Sequence, residues 1–237
     1  MSEKPDISII IPFVNEKDNL PVLYAELKEV LGRLNIPSEI IFIDDGSKDG
    51  SSERIQAVCE KDDSVRLIKL NRNFGQTAAM SAGFDHAEGE FIVPMDGDLQ
   101  NDPADIPKLL SKLHEGYDVV SGWRKNRRDK TISRKLPSLV ANFIISWMSG
   151  VHLHDYGCTL KAYKKKILRE MRLYSEMHRF IPIYAHWAGG RVTEIPVNHR
   201  PRSWGSSKVG LGRTFKVIMD LIVIKFLSNY LDKPIYL

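Results

Sequence analysis

The chain has very little cysteine. Cys59 and Cys158 are the only two in 237 residues, which excludes a disulfide framework and any CxxC metal knuckle and fits a reducing compartment. It also lacks charge of one dominant sign: the net charge is +4, too slight to make nucleic acid the expected partner. Its start, MSEKPDISIIIPFV, has no basic stretch ahead of an apolar one and does not read as a secretory signal. No run reaches the roughly 18 uninterrupted apolar residues of a membrane span. GxxxxGK[ST], GxSxG and HExxH are absent, and Gly210-Leu211-Gly212 follows no strand and lacks a third glycine, which sets aside P-loop nucleotidases, serine hydrolases, zincins and dinucleotide-binding enzymes.

What the chain does have is material for a buried core, 43% of its residues being hydrophobic. Short apolar runs at Ile7–Pro12, Glu39–Ile43, Val65–Leu70 and Glu90–Met95 read as strands. Between them, Asn19–Leu34, Ser51–Glu60 and Thr77–Ala87 read as helices. Apolar strands alternating with helices predict an α/β domain with a mostly parallel sheet covered on both faces. Beyond residue 120, a strand-like Tyr117–Gly122 leads into a basic stretch and then a helix over Leu136–Met148. A loop over His152–Thr159, a Lys-rich helix around 164–171, the segment Phe180–Trp187 and a strand over Val192–Val197 follow. No repeat or low-complexity linker divides the chain, so we expect one catalytic domain over 1–210 with an appended segment over 211–237.

In parallel sheets, ligands bind beyond the carboxyl ends of the strands. Four successive strand ends here deliver polar or acidic groups: Asn15-Glu16, Asp44-Asp45-Gly46-Ser47, Asn71-Arg72-Asn73-Phe74-Gly75 and Asp96-Gly97-Asp98-Leu99-Gln100. Each has a plain structural alternative as a turn or helix cap; four on one rim point to a ligand site. Asp96 and Asp98, with the Gln100 carbonyl as a third oxygen, suit Mg²⁺ or Mn²⁺, which keep waters and share phosphate oxygens. His152 and His154 form a lone HxH, which is more often loop chemistry than a metal site.

Cations concentrate later in the chain. Residues 122–136 hold Arg124, Lys125, Arg127, Arg128, Lys130, Arg134 and Lys135 against one acid, Asp129. Guanidinium matches phosphate oxygens in bidentate fashion, so Arg124, Arg128 and Arg134 are candidates to bind donor or acceptor phosphates. Arg124, directly after a strand, is the strongest. Residues 213–228, RTFKVIMDLIVIKFLS, are apolar around most of a helix yet too short to span hydrocarbon, and read as an interfacial helix at a membrane surface, the alternative being a core or oligomer-interface helix.

The set Pro12-x-x-Asn15-Glu16, Asp44-Asp45-Gly46-Ser47 and Asp96-x-Asp98-Leu99-Gln100-x-x-Pro103 resembles the family-2 glycosyltransferases of the GT-A, Rossmann-like fold. Asn71–Gln76, Asp155-Tyr156-Gly157-Cys158-x-Leu160-Lys161-Ala162-Tyr163, Phe180-Ile181-Pro182 and Gly205-x-Ser207-Lys208 look like the polyprenyl-phosphate branch of that family, and the likeness runs from about Ile7 to Leu227. That branch includes dolichyl-phosphate mannose synthases and undecaprenyl-phosphate transferases for glucose or formamido-arabinose, and the stretches quoted look nearer the bacterial enzymes, which favours a UDP-sugar. The resemblance implies transfer of a sugar from a nucleotide diphosphate to a polyprenyl phosphate, with inversion, at the cytoplasmic face of the membrane. It places Pro12, Asn15, Glu16, Asp44, Asp45, Asn71, Gln76 and Asp96 with the nucleotide sugar, and Asp96, Asp98 and Gln100 with the metal. Asp155 matches the branch's active-site carboxylate, and Asp96 and Arg124 join it as catalytic candidates. Arg128, Arg134, Arg200, Arg202 and Lys208 are candidates for the acceptor phosphate. Two positions depart from the pattern: Val14 stands where Tyr is frequent, and Gly97 where Ala is usual. Members of the branch often continue into transmembrane helices, so the chain is expected to be peripheral or anchored by helices beyond it, and a homo-oligomer is compatible. The competing readings are a family-2 transferase with a soluble or polysaccharide acceptor, a sugar nucleotidyltransferase, and a non-catalytic nucleotide-sugar binder.

Overall fold

A computed structural model describes residues 4–125, 145–147, 149–169, 171, 173, 177–201 and 219. β1 (Ile7–Phe13) is followed by α1 (Leu20–Leu34), β2 (Ser38–Asp44), α2 (Ser51–Cys59), β3 (Val65–Lys69), α3 (Gln76–His86) and β4 (Phe91–Pro94). Then come α4 (Ile106–His114), β5 (Val119–Trp123), β6 (Lys161–Lys164), α5 (Lys165–Arg169), α6 (Ile181–Trp187) and β7 (Val192–Pro196). The strands form one seven-stranded sheet in the order β3-β2-β1-β4-β6-β5-β7. All neighbours are parallel except that β6 runs antiparallel to both β4 and β5.

The strands form where β-branched residues run together, and side chains alternate between the sheet faces. On β1, Ile7, Ile9, Ile11 and Phe13 pack with Leu20, Leu23 and Leu27 of α1 and with Leu109, Leu110 and Leu113 of α4. Ile10, on the opposite face, packs with Ala79, Met80 and Phe84 of α3 and Ile181 and Ala185 of α6. Ile9, Ile10 and Ile11 are all fully buried, each side chain contributing about 1.5–3 kcal/mol. The parallel sheet covered on both faces matches the expectation from sequence.

Two elements were not anticipated. α4 follows Pro103 and carries Pro107 in its first turn, residues that read as breakers; at a helix start Pro has a suitable φ and lacks only a donor that would be unpaired anyway. β6 is four residues long with a lysine at each end, a stretch the sequence reading leaves unassigned; the Lys-rich helix expected around 164–171 follows it from Lys165. The 136–148 helix is helical at residues 145–147 and otherwise lies outside the described residues, as do most of 202–237 and therefore the expected interfacial helix and the boundary near 210. Among the described residues, no helix is long and apolar enough to cross a membrane.

Candidate active site

The antiparallel strand decides where the chemistry gathers. Because β6 pairs Lys161 with Ser121 near the carboxyl end of β5, the loop entering β6 lies on the same rim as the ends of β1, β2, β4 and β5. A parallel strand there would have brought residues 152–160 in at the opposite edge. Asp155 thereby joins Asp96 and Arg124.

Arg124 leaves β5 and meets Asp155 in a bidentate pair: Nε donates to Oδ2 at 2.7 Å and Nη2 to Oδ1 at 2.9 Å. The side chains are 13% and 9% exposed. Burial works against the Arg124 charge, but the Asp155 carboxylate outweighs it and holds the guanidinium above its ordinary pKa. This pair uses two of the five guanidinium N–H groups. Gly157 closes the cluster. A Cβ at that position would lie 3.2 Å from Arg124 Nη2, 3.4 Å from Arg179 Nη1 and 3.5 Å from Asp155 Oδ1, so two guanidinium groups and a carboxylate surround a residue without a side chain.

Asp96 follows β4. Its Oδ1 accepts from Gln76 Nε2 at 2.7 Å, its amide donates to Asn101 Oδ1 at 3.2 Å, and the Thr159 hydroxyl bonds its carboxylate. The cap of the following 3₁₀ turn is Asp102, which accepts the Ala104 amide at 3.0 Å, so Asp96 is not used as a cap. Burial and the adjacent Asp98 push the Asp96 carboxyl up to about 6, against the opposing pull of Thr159, Arg124 and Arg179. Asp98 is buried and accepts the Gln100 amide at 3.1 Å. Between them Leu99 holds φ of 62°, a left-handed conformation costing about 1–2 kcal/mol for a branched residue, fixed by its side chain's place in the core. Two carboxylates crowded together at a strand end suit a hard divalent cation. Among the described residues no three His, Cys, Asp or Glu side chains converge on one point, so such an ion would take its remaining ligands from water and diphosphate.

The acidic residues at the end of β2 are also scaffold. Asp44 accepts the Ser47 amide at 2.7 Å and bonds the Ser52 hydroxyl. Asp45 accepts the Phe74 and Gly75 amides at 2.7 and 2.9 Å, pinning the β3–α3 loop beneath it. Gly46 sits between the two loops at φ +78°, where a Cβ would come within 2.8 Å of the Arg72–Asn73 backbone. Asn15, itself left-handed at φ 56°, accepts the Lys48 amide at 2.8 Å and donates its own amide to Ser47 Oγ at 2.9 Å. Glu16 donates its amide to Ser51 Oγ and accepts from Asn19 Nδ2. Pro12 is buried in β1 opposite Ile43, and Asn71 is exposed in the loop after β3.

The structure thus gathers Asp96, Asp98, Arg124, Asp155 and Gln76 at one place, with Asn15, Glu16, Asp44 and Asp45 along the same rim. Arg200 has other partners: its guanidinium bonds both Glu26 oxygens at 2.9 and 2.7 Å and Asp102 Oδ1 at 2.8 Å, and its amide donates to the Gln100 carbonyl at 2.9 Å. It ties the segment after β7 to α1 and to the Asp96–Asp98 loop. Arg128, Arg134, Arg202 and Lys208 lie outside the described residues. His154 bonds Glu194.

Sequence reasoning did not single out Thr159, Lys161 or Arg179. Lys161 is buried and donates to the main-chain oxygens of Tyr156 and Cys158, and burial pulls its pKa down to about 8. Arg179 adjoins the Phe180-Ile181-Pro182 stretch but carried no pattern of its own.

A family model described as glycosyl transferase family 2 matches residues 8–172. A dodecaprenyl-phosphate galacturonate synthase of Rhizobium johnstonii is 42% identical over 97% of this chain and 69% of its own length. An undecaprenyl-phosphate 4-deoxy-4-formamido-L-arabinose transferase of Salmonella choleraesuis is 42% identical over 91% of this chain and 66% of its own length. The chain therefore spans about two thirds of these relatives. A glucosyl-3-phosphoglycerate synthase from Mycobacterium tuberculosis, solved with Mn²⁺, UDP and phosphoglyceric acid, superposes with a TM-score of 0.71 at 16% identity, covering 94% of this chain and 78% of that one; the likeness is one of GT-A fold.

Proposed function

Because the chain belongs to glycosyl transferase family 2, we propose that it transfers a sugar from a nucleotide-diphosphate sugar, by preference a UDP-sugar, to a polyprenyl phosphate at a membrane surface. The observation that carries this reading is the meeting of the Asp96–Asp98 loop with the Arg124–Asp155 pair on one rim, in a chain 42% identical to polyprenyl-phosphate sugar transferases.

Transfer breaks the bond from the anomeric carbon to the diphosphate oxygen and forms one to an acceptor phosphate oxygen, with inversion. Negative charge develops on the departing diphosphate and positive charge on the sugar ring. Asp96 and Asp98, with Gln100 beside them, would hold Mg²⁺ or Mn²⁺, which supplies charge neutralisation at the leaving group. Gln76 orients Asp96. Arg124, with Arg179 across Gly157, would offer N–H donors to phosphate oxygens in charge-assisted hydrogen bonds. A phosphate monoester has its second pKa near 6 and is largely dianionic at pH 7, so it attacks without surrendering a proton to a base. Asp155 therefore fixes the Arg124 fork and offers negative charge to the developing cationic ring.

Incubation with a panel of nucleotide sugars and undecaprenyl phosphate, with and without EDTA, followed by mass spectrometry of the lipid, tests this. A glycolipid that EDTA abolishes is expected. Transfer to water-soluble acceptors alone, or no product with any donor, would overturn the proposal.

A further inference from the structure

We propose that Glu194, His154 and Trp123 form a positioning unit for the Arg124–Asp155 pair, an inference that rests on reading that pair as part of the transfer site. Each member of the pair is preceded in the chain by a member of a second pair. The rings of Trp123 and His154 stack with centroids 4.2 Å apart and planes 19° apart. Successive side chains at a strand end face opposite sides, so the end of β5 and the loop entering β6 are joined twice at the same step, by an aromatic stack and by a bidentate ion pair.

Glu194 completes the unit from the edge strand β7, where it lies opposite Ser121. Its Oε2 accepts the His154 amide at 2.8 Å, and its Oε1 pairs with Nδ1 of the same residue. The His154 side chain is 65% exposed and that of Glu194 15%. A ring so exposed adds little to the core, yet one carboxylate holds it at both the main chain and the imidazole. What this fixes is the backbone immediately before Asp155. Lys125 Nζ lies 5.3 Å from the centroid of the Trp123 ring, a cation–π contact that favours the same indole placement. A bidentate pair tolerates little displacement, and an error of about 1 Å in a reacting geometry costs up to about a hundredfold in rate.

The test is steady-state kinetics of the full chain carrying Glu194→Gln, and separately His154→Ala, whose exposed site does not endanger folding. Each is expected to lower kcat about tenfold while the KM for donor changes less than about twofold. A structural role alone would be additive with the site, so the decisive readout is a double-mutant cycle with Asp155→Asn. In that background Glu194→Gln should change kcat less than about twofold. Wild-type kcat in both single variants, or an undiminished tenfold loss in the Asp155→Asn background, overturns the inference and leaves the site reading intact. Full turnover by Asp155→Asn alone overturns the site reading, and the inference with it.

Discussion

Replacing Asp155 by Asn keeps the side-chain shape and removes its charge. The wild-type carboxylate accepts from Arg124 at 2.7 and 2.9 Å and from the Gly157 amide at 3.1 Å. An amide retains one of the two Arg124 bonds and turns NH₂ toward a guanidinium donor at the other. Removing a partner from a buried ion pair costs about 3–5 kcal/mol; with one bond retained we expect about 2 kcal/mol, or about 4–8 °C in Tm for a domain of this size. The kinetic effect should be larger, because the Arg124 fork loses its fixed direction and the sugar ring its negative partner. We expect kcat to fall about a hundredfold or more, the scale of losing one preorganised electrostatic group. Donor affinity, measured by calorimetry with Mn²⁺ present, should weaken less than about threefold, since Asp96 and Asp98 are untouched. Equal losses in donor affinity and kcat would refute the reasoning, as would a lower Tm with unchanged turnover.

Mn²⁺ affinity should depend on pH, because the metal needs Asp96 ionised; with that carboxyl raised to about 6, titration calorimetry should show affinity about tenfold weaker at pH 5 than at pH 7, and a flat profile would argue against Asp96 as ligand. Gly46→Ala forces a side chain into a left-handed position against the Arg72–Asn73 backbone, and should cost about 2 kcal/mol or more in chemical denaturation and raise the KM for donor. Asp118 accepts from Lys164, Lys166 and the Arg191 amide; burial alone would raise its pKa, but these partners outweigh it and hold it at about 2 against an ordinary 3.8. That depressed pKa contributes about 2 kcal/mol above pH 3.8, lost as pH falls toward 2, so the stability gap between wild type and Asp118→Asn should be widest near neutrality and close over that interval. Arg200→Ala should lower stability by about 1 kcal/mol through Glu26 and Asp102 with the acceptor KM unchanged; a raised acceptor KM at unaltered Tm would instead assign Arg200 to phosphate binding.

The first half of the fold was legible because β1, β2 and β4 are apolar runs long enough to differ from helices, and because ligand-bearing loops follow strands in a parallel sheet. β6 was not legible, since a four-residue strand ending in lysine has no periodicity to detect. Its antiparallel direction, which places Asp155 beside Arg124, is a property of the whole sheet. The acidic strand ends lie along one edge of the sheet, as a parallel arrangement requires, but their hydrogen-bond partners were not legible. Asp45 bonds the Phe74 and Gly75 amides 29 and 30 residues away, and Arg200 bonds Glu26 from 174 residues away. A side chain's charge is written in the sequence; its partner is set by tertiary approach. Arg179 shows the converse, a cation with no surrounding pattern whose position became meaningful only beside Gly157 and Asp96.

The nucleotide released during turnover tests the central claim most directly. Attack by a polyprenyl phosphate oxygen on the anomeric carbon must free one nucleoside diphosphate for each sugar-phosphate diester formed. Quantifying the nucleotide by chromatography and the lipid by phosphorus NMR in the same reaction should give nucleoside diphosphate and lipid phosphodiester in equal amounts. Release of nucleoside monophosphate with a lipid diphosphate would mean that a sugar phosphate had moved, and would contradict the account.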